Sequence, residues 1–166
     1  MFNLFKVNGK VNILALIASI FIAEGVGFLS GYLGMSNAQT YNSLVKPSFS
    51  PPSWVFGIVW PILYLLMGIA AYRVWMKGRG EIKSTKALIL YGIQLTLNFM
   101  WTIIFFRWRL IGLAFFELML LLIFILLTTF EFFRLDKVAG FLMIPYILWV
   151  SFAGVLNFTF WMLNNM

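Results

Sequence analysis

The chain has 166 residues, 63% of them hydrophobic and 10% charged, with a formal net charge of +7 and a mean hydropathy of +0.97. That balance excludes a soluble globule and describes an integral membrane protein. Cysteine and histidine are both absent, which excludes disulfides, thiolate chemistry, imidazole acid–base catalysis and His or Cys metal ligation together.

A membrane-spanning helix needs ~20 predominantly apolar residues, and five segments reach that length, at about 11–32, 53–75, 87–106, 110–133 and 138–163. The first is interrupted only by Glu24 and follows Lys6 and Lys10. It is long and ends without a small-x-small cleavage pattern, so a retained helix is expected rather than a signal peptide. Ala23, Gly27 and Gly31 form a small-residue ridge on it, with Ser30 beside them. Such a ridge suits close helix packing, or it opens space for a ligand.

The loop at 33–52 carries Pro47, Pro51 and Pro52. Each proline fixes φ and lacks an N–H, so no regular helix is expected immediately before Ser53. Pro61 lies inside the second span and leaves a carbonyl near Gly57 without its helical partner, which packing must compensate. Trp60, Tyr64, Met67 and Ala71 share one face of that span. In the third, Tyr91, Gln94, Asn98, Trp101 and Phe105 follow the same spacing. Only Arg107-Trp108-Arg109 separates the third and fourth spans, and Arg134-Leu135-Asp136-Lys137 joins the fourth to the fifth, so both pairs are tight antiparallel hairpins. The fifth carries Tyr146, Trp149, Ala153, Leu156 and Phe160 on one face. The expected fold is all-α: one domain over 1–166, a single bundle of five transmembrane helices with a lid-like loop at 33–52 and no internal repeat.

The positive charges set topology rather than indicate nucleic-acid binding. Lys6, Lys10, Arg73, Lys77, Arg79, Lys83, Lys86, Arg134 and Lys137 fall on one side of the bundle; Lys46, Arg107 and Arg109 fall on the other. Nine against three predicts a multi-pass protein of the cell membrane with its amino terminus cytoplasmic and its carboxyl terminus outside.

Gln94, Asn98 and Asn157 are disfavoured against lipid and are expected to face the interior. Indole and phenol rings beside them would line an amphipathic cavity suited to a flat aromatic ligand, with π faces for stacking and a few polar groups for orientation. Trp54, Trp75, Trp108 and Trp161 near helix ends fit an interfacial belt instead. For Trp60, Asn98, Trp101 and Trp149 taken together, packing and ligand binding are both open. Glu24 and Glu117 lie inside spans, where a carboxylate is costly enough to be a functional candidate, with a structural hydrogen bond as the alternative. The chain carries no Ser/His/Asp set, metal cluster or phosphate-binding glycine loop.

Several spaced motifs carry a resemblance over nearly the whole chain. They are Tyr41-x-x-Leu44-x-Lys46-Pro47-Ser48-x-x-Pro51-Pro52-x-Trp54-Val55-x-Gly57-x-x-Trp60, then Leu63-Tyr64-x-x-Met67-Gly68, and Gln94-Leu95-x-Leu97-Asn98-x-x-Trp101 with Phe105-Phe106. The last is Pro145-Tyr146-x-x-Trp149-x-x-Phe152-Ala153-x-x-Leu156-Asn157. The chain resembles the TspO/MBR family of tryptophan-rich sensory and translocator proteins, also called the peripheral benzodiazepine receptor family. It departs from the family pattern at Gly57-Ile58, where many members read Gly-Pro, and at Trp101-Thr102-Ile103, where a Trp-Pro-Pro-like step is common.

The resemblance implies a five-helix receptor for porphyrins, haem and drug-like aromatic ligands, with the long loop over the pocket as a lid. It implies ligand-binding positions Ala23, Val26, Phe56, Trp60, Asn98, Trp101, Tyr146, Trp149, Ala153 and Leu156. Some bacterial members are associated with light-dependent protoporphyrin IX breakdown, which would make Trp60 and Trp149 the catalytic residues of an alternative, enzymatic reading. Transport or regulation of a membrane partner is a further alternative, although no inverted repeat supports autonomous transport. No cofactor is required, and porphyrin enters as ligand or substrate. With only Met or Tyr available as axial ligands, metal-free porphyrin or non-coordinated haem is favoured. The sterol motif of animal members is absent after Leu156, so cholesterol recognition is not expected; the small-residue ridge permits a homodimer.

Overall fold

The computed structural model describes residues 4–34 and 37–164, with the backbone alone at Asn37, Ala38 and Thr40. The chain forms α1 (Ile13–Leu33), α2 (Asn37–Ser43), α3 (Ser53–Lys77), α4 (Ile82–Thr102), α5 (Ile111–Leu135) and α6 (Lys137–Asn164), with a π-helical turn at Ile103–Arg107 after α4. Five of these are long and apolar enough to cross a membrane. Each neighbours the next in a closed ring ordered α1, α3, α6, α5, α4. The hairpins α4–α5 and α5–α6 follow from their short links, while α1 is the least buried member.

Local chemistry sets the helix ends. Asn12 caps α1 by accepting from the Ala15 N–H at 3.0 Å, a usual N-cap bond. Asp136 caps α6 the same way, accepting from the Ala139 N–H at 2.9 Å. The start of α4 lies at Ile82 rather than 87, because the Ser84 hydroxyl donates to the Gly78 and Glu81 carbonyls and holds the polar turn before it. The tetrapeptide Val7–Lys10 closes on itself through paired backbone bonds of 2.9 and 3.0 Å. Asn8 (φ 51) and Gly9 (φ 80) supply the left-handed pair that such a turn requires.

The loop expected at 33–52 contains α2, which ends before the first of the prolines. The prolines still keep 47–52 out of helix. Tyr41 of α2 donates to the Pro51 carbonyl at 2.6 Å, and Asn164 at the end of α6 holds both backbone groups of Val45, accepting from its N–H at 2.9 Å and donating to its carbonyl at 3.2 Å.

Helix approach is closest where side chains vanish. A Cβ on Gly68 would stand 2.8 Å from the Ile20 backbone, and the Ser19 hydroxyl donates to the Gly68 carbonyl at 2.8 Å, tying α1 to α3. At the far end of α3, Arg73 meets Asp136 through two parallel bonds of 2.9 Å, and its Nη1 also donates to the Leu4 carbonyl at 2.6 Å. The adjacent Tyr72 hydroxyl donates to Phe5 and accepts from the Asn12 N–H. This end of the bundle is closed by charge-assisted and backbone bonds.

Candidate ligand cavity between α1, α3 and α4

A cavity of about 310 Å³ lies at the α2 end of the bundle. α1 contributes Gly27, Ser30 and Gly31, and α3 contributes Ser53, Phe56, Gly57, Trp60, Pro61 and Tyr64. From α4 and the π turn come Asn98, Trp101, Thr102 and Phe106, and Tyr41 of α2 closes the end. Its volume falls at the lower end of the ~300–1,000 Å³ usual for small-molecule sites. Gly31, Gly57 and Pro61 on its rim are exposed, so the space opens between α1 and α3. A crevice of about 20 Å³ adjoins it behind Tyr41, Phe56 and Trp101, bounded by Ala153, Leu156 and Asn157 of α6.

The walls are aromatic and tilted against one another. Trp60 stands 5.7 Å from Tyr64 and 6.3 Å from Tyr146, centroid to centroid. Tyr41 meets Phe56 edge-on at 5.2 Å. Trp101 lies 5.2 Å from Phe105, and edge-on to Phe106 at 5.9 Å. The π turn widens the helix just after Trp101, at the position where this chain has Thr102-Ile103, and brings Phe105 and Phe106 to the same end. π-bulges of this kind recur at functional sites.

Polar groups sit behind the rings. The Tyr64 hydroxyl donates to Asn98 Oδ1 at 2.7 Å, Asn98 Nδ2 donates to the Tyr146 hydroxyl at 2.6 Å, and Tyr146 donates to Gln94 Oε1 at 3.0 Å. Trp101 Nε1 donates to Asn157 Oδ1 at 3.1 Å, and Asn157 Nδ2 to the Ile111 carbonyl at 2.9 Å. All three buried amides, Gln94, Asn98 and Asn157, therefore face inward and are bonded. Lys46, near the mouth, is exposed, bonds Asn42 at 3.0 Å and stands 4.5 Å over the Tyr41 ring.

The expected site positions separate into groups. Phe56, Trp60, Asn98 and Trp101 surround the one cavity, and Ala153 and Leu156 bound the crevice next to it. Tyr146 is fully buried one layer deeper, reaching the cavity through Asn98 and Trp60. Trp149 stands behind Phe56 at 5.7 Å, with its Nε1 buried and unbonded. Val26 faces a separate groove of about 250 Å³ between α1 and α4, and Ala23 is fully buried packing. Tyr41, Gly31, Thr102 and Phe106 belong to the lining as well; of these, the Tyr41 and Phe106 motif positions were the readable signal. The two intramembrane acids also separate. Glu24 is partly exposed, whereas both Glu117 oxygens are buried without a hydrogen-bond partner.

The TspO/MBR family model matches residues 18–162. A Chlorobaculum tepidum chain named Tryptophan-rich protein TspO is 41% identical over 92% of this chain and 97% of its own. The Tryptophan-rich sensory protein of Cereibacter sphaeroides is 37% identical over 90% of this chain and 92% of its own. The human Translocator protein is 39% identical over 75% of each.

Proposed function

This chain belongs to the TspO/MBR family, and on that premise we propose that it is a membrane receptor whose α1–α3–α4 cavity binds porphyrins and other flat aromatic ligands. The observation that carries the reading is the wall itself: Trp60, Phe56, Trp101 and Tyr41 offer ring faces and edges around an open space, with Asn98 and Tyr64 as its hydrogen-bonding groups. A planar ligand is held there by apolar burial and ring contacts, and the amide fixes its orientation. Lys46 beside the mouth attracts a carboxylate on the ligand's edge. By the charge asymmetry of the loops, the Arg73 end faces the cytoplasm and the cavity mouth faces outward.

Titration of the purified protein with protoporphyrin, followed by intrinsic tryptophan fluorescence, tests the reading. Saturable quenching is expected, with affinity reduced in Trp60→Ala; affinity unchanged after replacing both Trp60 and Trp101 by alanine would sink the assignment.

The half-buried position of an oxidisable indole, Trp60, on the cavity wall favours a second reading: light- and oxygen-dependent breakdown of the bound porphyrin. Illuminated and dark samples should then differ in loss of porphyrin absorbance. An unaltered illuminated rate in Trp60→Phe would remove the indole from the chemistry.

A further inference from the structure

The polarity of the cavity is set at its buried end. The bonded series from Tyr64 through Asn98 and Tyr146 to Gln94 ends on Met67, whose Sδ accepts from Gln94 Nε2 at 3.8 Å. A thioether sulfur accepts and never donates. Gln94 must therefore turn its nitrogen to Met67 and its carbonyl oxygen to Tyr146. The Tyr146 hydrogen is spent on that oxygen, so its lone pairs are left for the Asn98 amide, and the Asn98 carbonyl is left for the Tyr64 hydrogen. Met67 thus orients every bond in the series, although it is fully buried and lies outside the cavity lining.

At the cavity wall the consequence is chemical. Tyr64 has no hydrogen to give and presents lone pairs, while Asn98 keeps one amide hydrogen beside it. The Trp101 N–H is likewise engaged, by Asn157. We propose that Tyr64 is the specificity-determining acceptor of this cavity, selecting planar aromatic ligands that carry an N–H on one edge, lactams above all, over isosteres that offer only oxygen. The proposal rests on the reading of the cavity as a ligand site. Its selectivity is the kind hydrogen-bonding sites achieve, because a ligand lacking the donor leaves a desolvated oxygen facing another oxygen.

A matched pair of probes tests it: phenanthridin-6(5H)-one, a lactam, and benzo[c]chromen-6-one, the lactone of the same three-ring outline. Binding of each to the purified full chain is read by tryptophan fluorescence. The wild type should hold the lactam about tenfold more tightly, as one satisfied hydrogen bond against one unsatisfied group predicts. Tyr64→Phe should bring the ratio to about one, weakening the lactam by loss of its acceptor and relieving the lactone of the facing oxygen; an unfolding temperature close to the wild type's shows that the protein remains folded. Met67→Leu, a swap of similar volume, frees Gln94 to turn and should reduce the ratio with Tyr64 still present. Equal affinities in the wild type, or a preference that survives Tyr64→Phe, would overturn the assignment. Protoporphyrin titrated into the same preparations separates the two ideas. Porphyrin binding without lactam preference defeats only the polarity, whereas lactam preference without porphyrin binding defeats only the porphyrin reading.

Discussion

Over its first three turns α3 gives Phe56, Gly57, Trp60 and Pro61 to an open cavity, whereas from Met67 to Val74 every residue is buried. Neutral hydrogen bonds and tilted rings hold the first region; the second is held by the Arg73–Asp136 pair and by Arg73 and Tyr72 binding the amino-terminal segment. The difference divides labour along one helix. Bonds that resist unfolding are concentrated away from the cavity, which lets the other end keep a partly exposed aromatic space without collapse.

Breaking the sealed end should have the largest effect. Arg73→Ala leaves Asp136 buried without its partner and should cost about 3–5 kcal/mol, read as a large fall in unfolding temperature in detergent, with the affinity of the molecules that remain folded little changed. An unfolding temperature equal to the wild type's would show that stability does not reside there.

Acid should probe the same pair more gently. Burial raises the Asp136 pKa, but the hydrogen bonds from Arg73 and the Ala139 N–H and the nearby positive charges outweigh it, so the carboxyl titrates below its ordinary 3.8. A depressed folded-state pKa contributes stability above the unfolded value and loses it as pH falls through the folded one. Stability should therefore decline as pH drops below about 3.8, and Asp136→Asn, measured by denaturation across that range, should be less stable at neutral pH and flatter in acid.

Changes at the open end should invert the pattern. Trp60→Ala should weaken protoporphyrin by about tenfold, the order expected for loss of an aromatic contact and its buried area, while the unfolding temperature moves little because Trp60 is only partly buried. Smaller still is Gly27→Ala. Its Cβ would overlap the Tyr64 ring, so the ring must shift off Asn98, and affinity should fall severalfold. Gly57→Ala, whose Cβ meets nothing within 4 Å, should leave stability unchanged. Equal effects of the two glycine substitutions on stability and affinity would remove the distinction between a packed wall and an open one.

Much of this contrast was legible in the residues. Five spans and two hairpins follow from run length, and Gln94, Asn98 and Asn157 face inward because an amide is costly against lipid. Helical spacing shows which residues share a face, but not how far along a neighbouring helix that face lands. That is why Val26 reaches a separate groove and Trp149 sits behind Phe56. Arg73 reads as one more positive loop charge, since its partner is 63 positions away and no local pattern joins them. The amino-terminal turn was readable at Asn8-Gly9, a strong turn dipeptide. The π turn was not, because Thr102-Ile103 carries no helix-breaking residue.

Cysteine's absence offers a clean measurement of the central claim. A single thiol is introduced at the cavity wall by Gly57→Cys, and a reference thiol at the opposite end by Lys83→Cys, an exposed position on α4. Protoporphyrin should slow alkylation of the first in a saturable manner and leave the second unaffected. Equal rates with and without porphyrin at the cavity thiol, or equal slowing at both, would contradict a ligand site between α1, α3 and α4.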